Sequence, residues 1–338
     1  MRVILVGFGV IGRGVISVIK KKREYLKKRY GMDVKIVAIC DSSGAAIDEN
    51  GLDLDLALEV KKRRGKISEY PGKGVTLEAT EVIRSVDGDV LIEVTPTNIE
   101  DGEPARTYII EGFKSGKHVI TANKGPLALY FQELMSYAKR YNRIFRYEAS
   151  VGGAMPIINL ARETLAGNEI IEIKGILNGT TNYILTKMER EKLDFDTVLK
   201  EAQELGIAET NPYQDISGLD TAAKIVILAN SIMNMNVTIK DVKIEGITRI
   251  TPEALTMANK GGYTIKLVGE VKRNKLEVCP KLIPLDDPLN VKGSLNVAKL
   301  YTDLAKEVIV VGRGAGSIET SSAILSDLIH TYLQTSKG

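Results

Sequence analysis

Asp220 and Lys224 stand four residues apart in a stretch that reads as helix over 217–233, which puts both on one face. Their neighbours Ala222, Ala223 and 225–228 are apolar, so a lysine there is partly desolvated. Desolvation disfavours the ammonium and brings the amine toward values useful for proton transfer. The plainer reading of the same spacing is a surface ion pair. Glu209 and Asp215 lie just upstream, and with Asp220 they would give an acidic pocket suited to a substrate ammonium.

A second set lies at the other end of the chain. Gly7, Phe8, Gly9, Val10, Ile11 and Gly12 form G-x-G-x-x-G directly after the apolar strand 3–6 and at the start of a helix. One glycine makes the tight turn, the second lets the backbone approach a pyrophosphate, and the third lets helix and strand pack closely. The helix N-terminus faces the phosphate charge. Asp41 closes the second strand, 34–40, where a carboxylate would bind the adenosine ribose 2′-hydroxyl and favour NAD. The plainer reading of Asp41 is a loop cap. Lys61 to Arg64 follow after a connecting loop, and a cation from that run could bind a 2′-phosphate instead. NAD and NADP both stay open. Cys40 ends a strand and Cys279 falls in a hairpin, so thioester chemistry is not expected. His118 starts a strand and His330 sits in the last helix, both structural positions. Acid–base work therefore falls to lysine or carboxylates.

The elements that must carry these groups come in two styles. Up to about residue 135, strands alternate with helices (strands at 90–94 and 118–120, a helix over 104–114), the pattern of βαβ units and a parallel sheet. Beyond it come a helix over 156–166, a strand over 170–177, a helix opening at Asn178-Gly179-Thr180, and a hairpin over 264–284 turning at Arg273-Asn274. The expected architecture is α/β, a Rossmann-type parallel-sheet domain (1–135) plus an α+β catalytic and dimerisation region (136–311). A C-terminal helix within 312–336 returns to the first domain. With 46 basic and 43 acidic residues the net charge of +3 is too even for a partner such as nucleic acid or an anionic membrane. The basic run 20–29 reads as a solvated helix end. No apolar stretch reaches the roughly 18 residues of a spanning helix, and the N-terminus does not read as a signal peptide. Two distant cysteines suggest no disulfide framework. The expectation is a soluble, cytoplasmic enzyme with a small-molecule substrate.

Four motifs then carry a resemblance that spans essentially the whole chain: Thr121-Ala-Asn-Lys124-Gly-Pro-Leu127, Glu148-Ala-Ser-Val-Gly-Gly-Ala-Met-Pro156, Gly175-Ile-Leu-Asn-Gly-Thr-Thr-Asn-Tyr183 and the segment from Glu209 to Lys224. In this order and spacing they resemble homoserine dehydrogenases. The resemblance implies NAD(P)-dependent interconversion of L-homoserine and L-aspartate 4-semialdehyde, in threonine, methionine and isoleucine biosynthesis, by a homodimer. It implies that Lys224 gives or takes the proton and that Lys124 is a second active-site lysine near the nicotinamide. Glu209, Asp215 and Asp220 match substrate-binding carboxylates, and Thr95 with Gly316 match cofactor contacts. Backbone N–H groups at Asn178, Gly179 and Thr180 would take the substrate carboxylate. Glu148, Val151 and Gly153 match a monovalent-cation loop, with Na+ the candidate ion, that binds largely through backbone carbonyls. A lysine near Lys61 resembles a 2′-phosphate ligand. Thr210-Asn211 departs from the Pro-Asp of many relatives and weakens any argument for charge at Asn211. The chain shows no room for a regulatory ACT domain or a kinase domain, so no response to threonine is expected. The competing readings are another Rossmann reductase of amino or oxo acids and a non-catalytic NAD(P)-binding sensor; Lys224 and the carboxylates argue against the sensor.

Overall fold

The computed structural model describes residues 1–336. Two compact units divide the chain, Met1–Ser150 with the segment from Gly316 onward, and Val151–Ala315.

The first unit opens with β1 (Arg2–Val6), whose Val3, Ile4 and Leu5 are fully buried. α1 (Val10–Tyr30) follows; Gly31, at φ 67°, ends it by donating to the Leu26 and Lys27 carbonyls. β2 (Lys35–Asp41) pairs parallel with β1. Between Asp41 and Lys61, where the sequence suggests loop, the chain instead turns back as β3 (Gly44–Ile47), antiparallel to β2, and then forms α2 (Leu54–Arg64). Asp53 starts α2 by accepting from the Asp55 and Leu56 N–H groups. Lys61 therefore rides on a helix. β4 (Gly74–Val75), α3 (Ala79–Ser85), β5 (Val90–Glu93), α4 (Ala105–Lys114), β6 (His118–Thr121), α5 (Lys124–Arg140) and β7 (Phe145–Arg146) complete the sheet, ordered β4-β3-β2-β1-β5-β6-β7. From β2 to β7 the strands run parallel. Pairing with β6 keeps β7 and the turn Glu148–Ser150 in this unit, so the division falls beyond residue 135.

The second unit starts with a short turn, α6 (Ile157–Asn159), where the sequence suggests one helix over 156–166. Its continuation is a wider coil in which the Leu165 N–H reaches the Leu160 carbonyl, five residues back. β8 (Ile170–Ile176), α7 (Gly179–Glu191), α8 (Phe195–Glu204), α9 (Tyr213–Ile216), α10 (Leu219–Ile232), β9 (Lys243–Ile244) and α11 (Pro252–Lys260) follow. The hairpin of β10 (Tyr263–Lys272) and β11 (Lys275–Pro284) pairs Lys272 with Lys275 across Arg273-Asn274, as its sequence suggests. With β12 (Leu295–Thr302) and β13 (Glu307–Arg313) the strands form a sheet ordered β13-β12-β8-β10-β11-β9.

α12 (Ser317–Thr335) belongs to the first unit. Its Ala323, Ile324 and Leu328 join Val15, Ile16 and Ile19 of α1 in one core. The Asp327 carboxylate accepts the Glu148 N–H at 2.9 Å, and Tyr332 Oη donates to the Gly31 carbonyl at 3.0 Å.

Candidate active site

In the first unit the glycine loop connects β1 to α1. Gly7 adopts φ 101°, and a Cβ there would lie 2.5 Å from the Val94 carbonyl. A Cβ on Gly12 would lie 2.0 Å from the Gly7 oxygen, so the turn and the close packing both exclude side chains. A Cβ on Gly9 would meet nothing within 4 Å. That open space, at a helix N-terminus, would admit a pyrophosphate. Phe8 is buried, so only its backbone belongs to the loop, while Val10 stays exposed. Gly316, at φ 132°, leads into α12, and Ser317 Oγ donates to the Val10 carbonyl at 3.0 Å. The starts of α1 and α12 therefore meet beside the loop.

Asp41 is not a bare carboxylate at a strand end. One oxygen accepts from Ser43 N (2.8 Å) and Ser43 Oγ (2.5 Å). The other accepts from Ile67 N (3.1 Å) and pairs with Lys61 Nζ. Burial opposes the charge, but the bonds from Lys61, Ser43 and Ile67 outweigh it and hold the carboxyl below its ordinary value. Asp41 thus acts as a loop cap, and a ribose hydroxyl would have to share its acceptors. Lys61 also donates to the Gly65 carbonyl at 2.7 Å.

Thr95 lies just past β5 and Lys124 begins α5, whose cap is Asn123 accepting from Gly125 N at 3.2 Å. Beneath them sits Glu93, fully buried and joined to Thr95 and Thr121. Sequence reasoning missed it; the available signal is one acid in an otherwise apolar strand, Val90-Leu-Ile-Glu-Val94.

The second unit brings Lys224, Asp220, Asn178 and Asp215 together. Lys224 is 7% exposed, which removes the surface-pair reading. Its ammonium donates to Asp220 Oδ2 and to the Leu177 carbonyl, both at 2.6 Å. Asn178 Nδ2 donates to Asp220 Oδ2 (2.9 Å) and Asp215 Oδ1 (2.6 Å). Its Oδ1 accepts from Thr181 N at 2.9 Å, so one amide caps α7 and bridges two carboxylates. Burial, followed by the Asp220 charge, pushes the Asp215 carboxyl up. Gly179 and Thr180 form the first turn of α7, and Thr180 Oγ1 donates to the Ile207 carbonyl at 3.1 Å. Glu209 is not drawn into this network. It stands exposed between α8 and α9, its backbone carbonyl accepting from Gln203.

Glu148 is buried in the turn that closes the first unit; Val151 and Gly153 (φ 57°) open the second. Burial drives the Cys40 thiol up to about 12 and the Cys279 thiol to about 11, so neither is a nucleophile at neutral pH. His118 Nδ1 accepts from Ile144 N at 2.9 Å, and burial lowers its pKa; it is a structural, neutral histidine.

Residues 156–329 match the homoserine dehydrogenase family, and residues 7–148 match the homoserine dehydrogenase NAD-binding domain. The chain belongs to the homoserine dehydrogenase family. It is 68% identical over 337 residues to the homoserine dehydrogenase of Methanocaldococcus jannaschii, covering 100% of both chains. The NAD(+)-dependent homoserine dehydrogenase of Pseudomonas canavaninivorans is 37% identical, with 97% of this chain and 95% of the relative covered. Among solved structures, a putative homoserine dehydrogenase from Archaeoglobus fulgidus superposes with TM-score 0.91 at 46% identity, covering 98% of this chain and 99% of that one. A hyperthermophilic archaeal homoserine dehydrogenase in complex with NADPH superposes with TM-score 0.87 at 30% identity, covering 98% of each. As a homoserine dehydrogenase the chain is an NAD(P)-dependent oxidoreductase, with a Rossmann-type domain and a second domain built on its own sheet. Among the described residues no helix is long and apolar enough to cross a membrane.

Proposed function

We infer that the chain interconverts L-homoserine and L-aspartate 4-semialdehyde, with Lys224 moving the proton. The observation that carries this is the Lys224–Asp220–Asn178–Asp215 network, a buried cation and two carboxylates bridged by the amide that caps α7. A bound nicotinamide supplies the hydride in the reductive direction and accepts it in the oxidative one. Lys224 Nζ would give a proton to the negative charge that develops on the substrate's carbonyl oxygen during reduction, and in reverse the amine would take the hydroxyl proton back. Asp220 fixes the ammonium's position through its 2.6 Å bond. Lys124 stabilises the developing negative charge. Asp215, Asp220 and Glu209 bind the substrate ammonium, and the N–H groups of Gly179 and Thr180, with Asn178, bind its carboxylate. Gly7 to Gly12, Thr95 and Gly316 hold the dinucleotide. Lys61, already beside Asp41, supplies the charge that a 2′-phosphate needs, so NADP binds and NAD remains usable.

Three further assignments belong to this reading. Glu148, Val151 and Gly153 hold Na+ mainly through carbonyls. The chain works as a homodimer, an arrangement favoured by the edge position of β13, where Val311 is 50% exposed. Its site is the cytoplasm, which suits two buried free thiols.

Homoserine-dependent reduction of NAD+ and NADP+, followed at the nicotinamide absorbance, tests the assignment. Turnover with homoserine and none with simple alcohols or 2-hydroxy acids is expected. Absence of homoserine turnover with both cofactors overturns it.

A further inference from the structure

We propose that Glu93 is a positioning residue: its carboxylate ties the carboxyl ends of β5 and β6 together and sets where Thr95 and Lys124 stand. The inference rests on the cofactor reading above, in which these two residues face the dinucleotide.

Glu93 has 0% exposure, and its hydrogen-bond partners are all neutral. Oε1 accepts from Thr95 N at 2.8 Å and from Thr95 Oγ1; Oε2 accepts from Thr121 Oγ1 at 2.7 Å. The Thr121 hydroxyl in turn accepts from Asn123 N at 2.9 Å. Asn123 closes the circuit, its Nδ2 donating to the Thr95 carbonyl (3.2 Å) and the Pro96 carbonyl (3.3 Å). The Asn123 Oδ1 that caps α5 belongs to the same side chain. Glu93 thus locks the loop after β5 to the loop after β6 and to the helix start that carries Lys124. In a parallel sheet these carboxyl ends are where a dinucleotide-binding domain meets its ligand.

Chemistry explains why the group is an acid. Burying a carboxylate without a cation costs several kcal/mol, and burial pushes its pKa up against the bonds from Thr95 and Thr121. Packing alone calls for another apolar residue beside Val90, Leu91 and Ile92. The circuit, however, needs an acceptor on both oxygens, and a carboxylate alone supplies that. A glutamine would aim its NH2 either at the Thr95 N–H, a donor against a donor, or at the Thr121 hydroxyl, whose own O–H would then lose its acceptor.

Glu93→Gln in the full chain tests this by steady-state kinetics, NADPH titration and thermal unfolding. A shift of about 1 Å in reacting groups costs up to roughly a hundredfold, so kcat should fall between about tenfold and a hundredfold. KM for the cofactor should rise several-fold, while KM for homoserine, whose ammonium and carboxylate are assigned partners in the other unit, should stay within twofold. Thr121→Val should show the same split more weakly, Thr121→Ser should restore wild-type values, and the double variant Glu93→Gln/Thr121→Val should be no worse than Glu93→Gln. Should Glu93→Gln fail to fold, the Thr121 pair carries the test alone. Unchanged kcat and cofactor KM in the folded variants, a matching rise in homoserine KM, or multiplicative losses in the double variant would each overturn the proposal. Wild-type protein that binds no NADPH or NADH would instead sink the cofactor reading itself.

Discussion

Replacing Lys224 by methionine tests charge and chemistry at once. The ammonium is buried between the Asp220 carboxylate and the Leu177 carbonyl. Methionine fills much of the space but leaves Asp220, 8% exposed, without that cation. Removing one partner of a buried pair costs about 3–5 kcal/mol. At roughly 2–4 °C per kcal/mol that is a fall of about 10 °C in the unfolding temperature of the second unit. The cost should depend on pH. Asp215 shares the Asn178 amide with Asp220, and its carboxyl is already raised by burial and by the Asp220 charge; Lys224 is among the groups pulling it down. Without Lys224 it rises further. A carboxyl whose folded pKa exceeds its unfolded one binds more protons when folded, so stability falls as pH rises through that window and returns on acidification. The deficit should be full where the carboxyl is ionised, at neutral pH and above, and shrink on acidification. Turnover should drop by roughly 10²–10⁴, as for loss of a positioned acid–base group. Adding Asp220→Asn should restore most of the stability and none of the turnover. Thermal unfolding at three pH values, with initial rates of NADP+ reduction, measures all of this. A Lys224→Met protein as stable as wild type at pH 8, or turnover returning in the double variant, would refute the reasoning.

Glu209→Ala should mainly raise KM for homoserine, as expected for the proposed ammonium contact if it is made equally in ground and transition states; an unchanged KM would make this exposed carboxylate a surface group. Lys61→Ala should weaken NADP by about 1–2 kcal/mol and leave NAD nearly unchanged in parallel titrations; equal losses would mean that Lys61 serves only Asp41. Buried thiols at about 12 and about 11 predict that iodoacetamide at pH 8 leaves both cysteines unmodified in the native protein, read by mass spectrometry, and activity intact. Burial brings Lys266, bonded to Asn182 and Thr186, down to about 7, while the unfolded chain holds that proton to higher pH. Stability should therefore rise between about pH 7 and 9, by on the order of 1 kcal/mol per unit, and the rise should vanish in Lys266→Met on denaturant titration.

Local pattern was enough to read α10, with Asp220 and Lys224 on one face, and the β10–β11 hairpin, because both rest on periodicity and turn residues. It also pointed the last helix back to the first domain. It did not reveal that Asn178 reaches Asp220 across 42 positions or that Lys224 reaches the Leu177 carbonyl across 47. Those bonds depend on how β8, α7 and α10 are brought together, which no window of sequence contains. Asp41 looked available for the same reason; the residues that occupy it, Lys61 and Ile67, arrive on α2 and the turn beyond it. Glu93 escaped because an acid within an apolar run has no periodic signature, and one of its partners lies 28 residues away.

The return of α12 has a consequence for how the protein is made. On the ribosome, the first 150 residues emerge long before the helix that completes their core. Ser317 meets the Val10 carbonyl across 307 positions, and Ile324 and Leu328 pack with Ile16 and Ile19. At about 5–20 residues per second, the 1–150 segment waits on the order of ten seconds or more with that apolar face uncovered. The second unit, contiguous from Val151 to Ala315, has no such delay and can fold as it appears. The unit begun first on the ribosome is therefore the one completed last. A premature stop within α12 would leave the second unit's sequence untouched and would remove part of the packing beside a glycine loop translated some three hundred codons earlier.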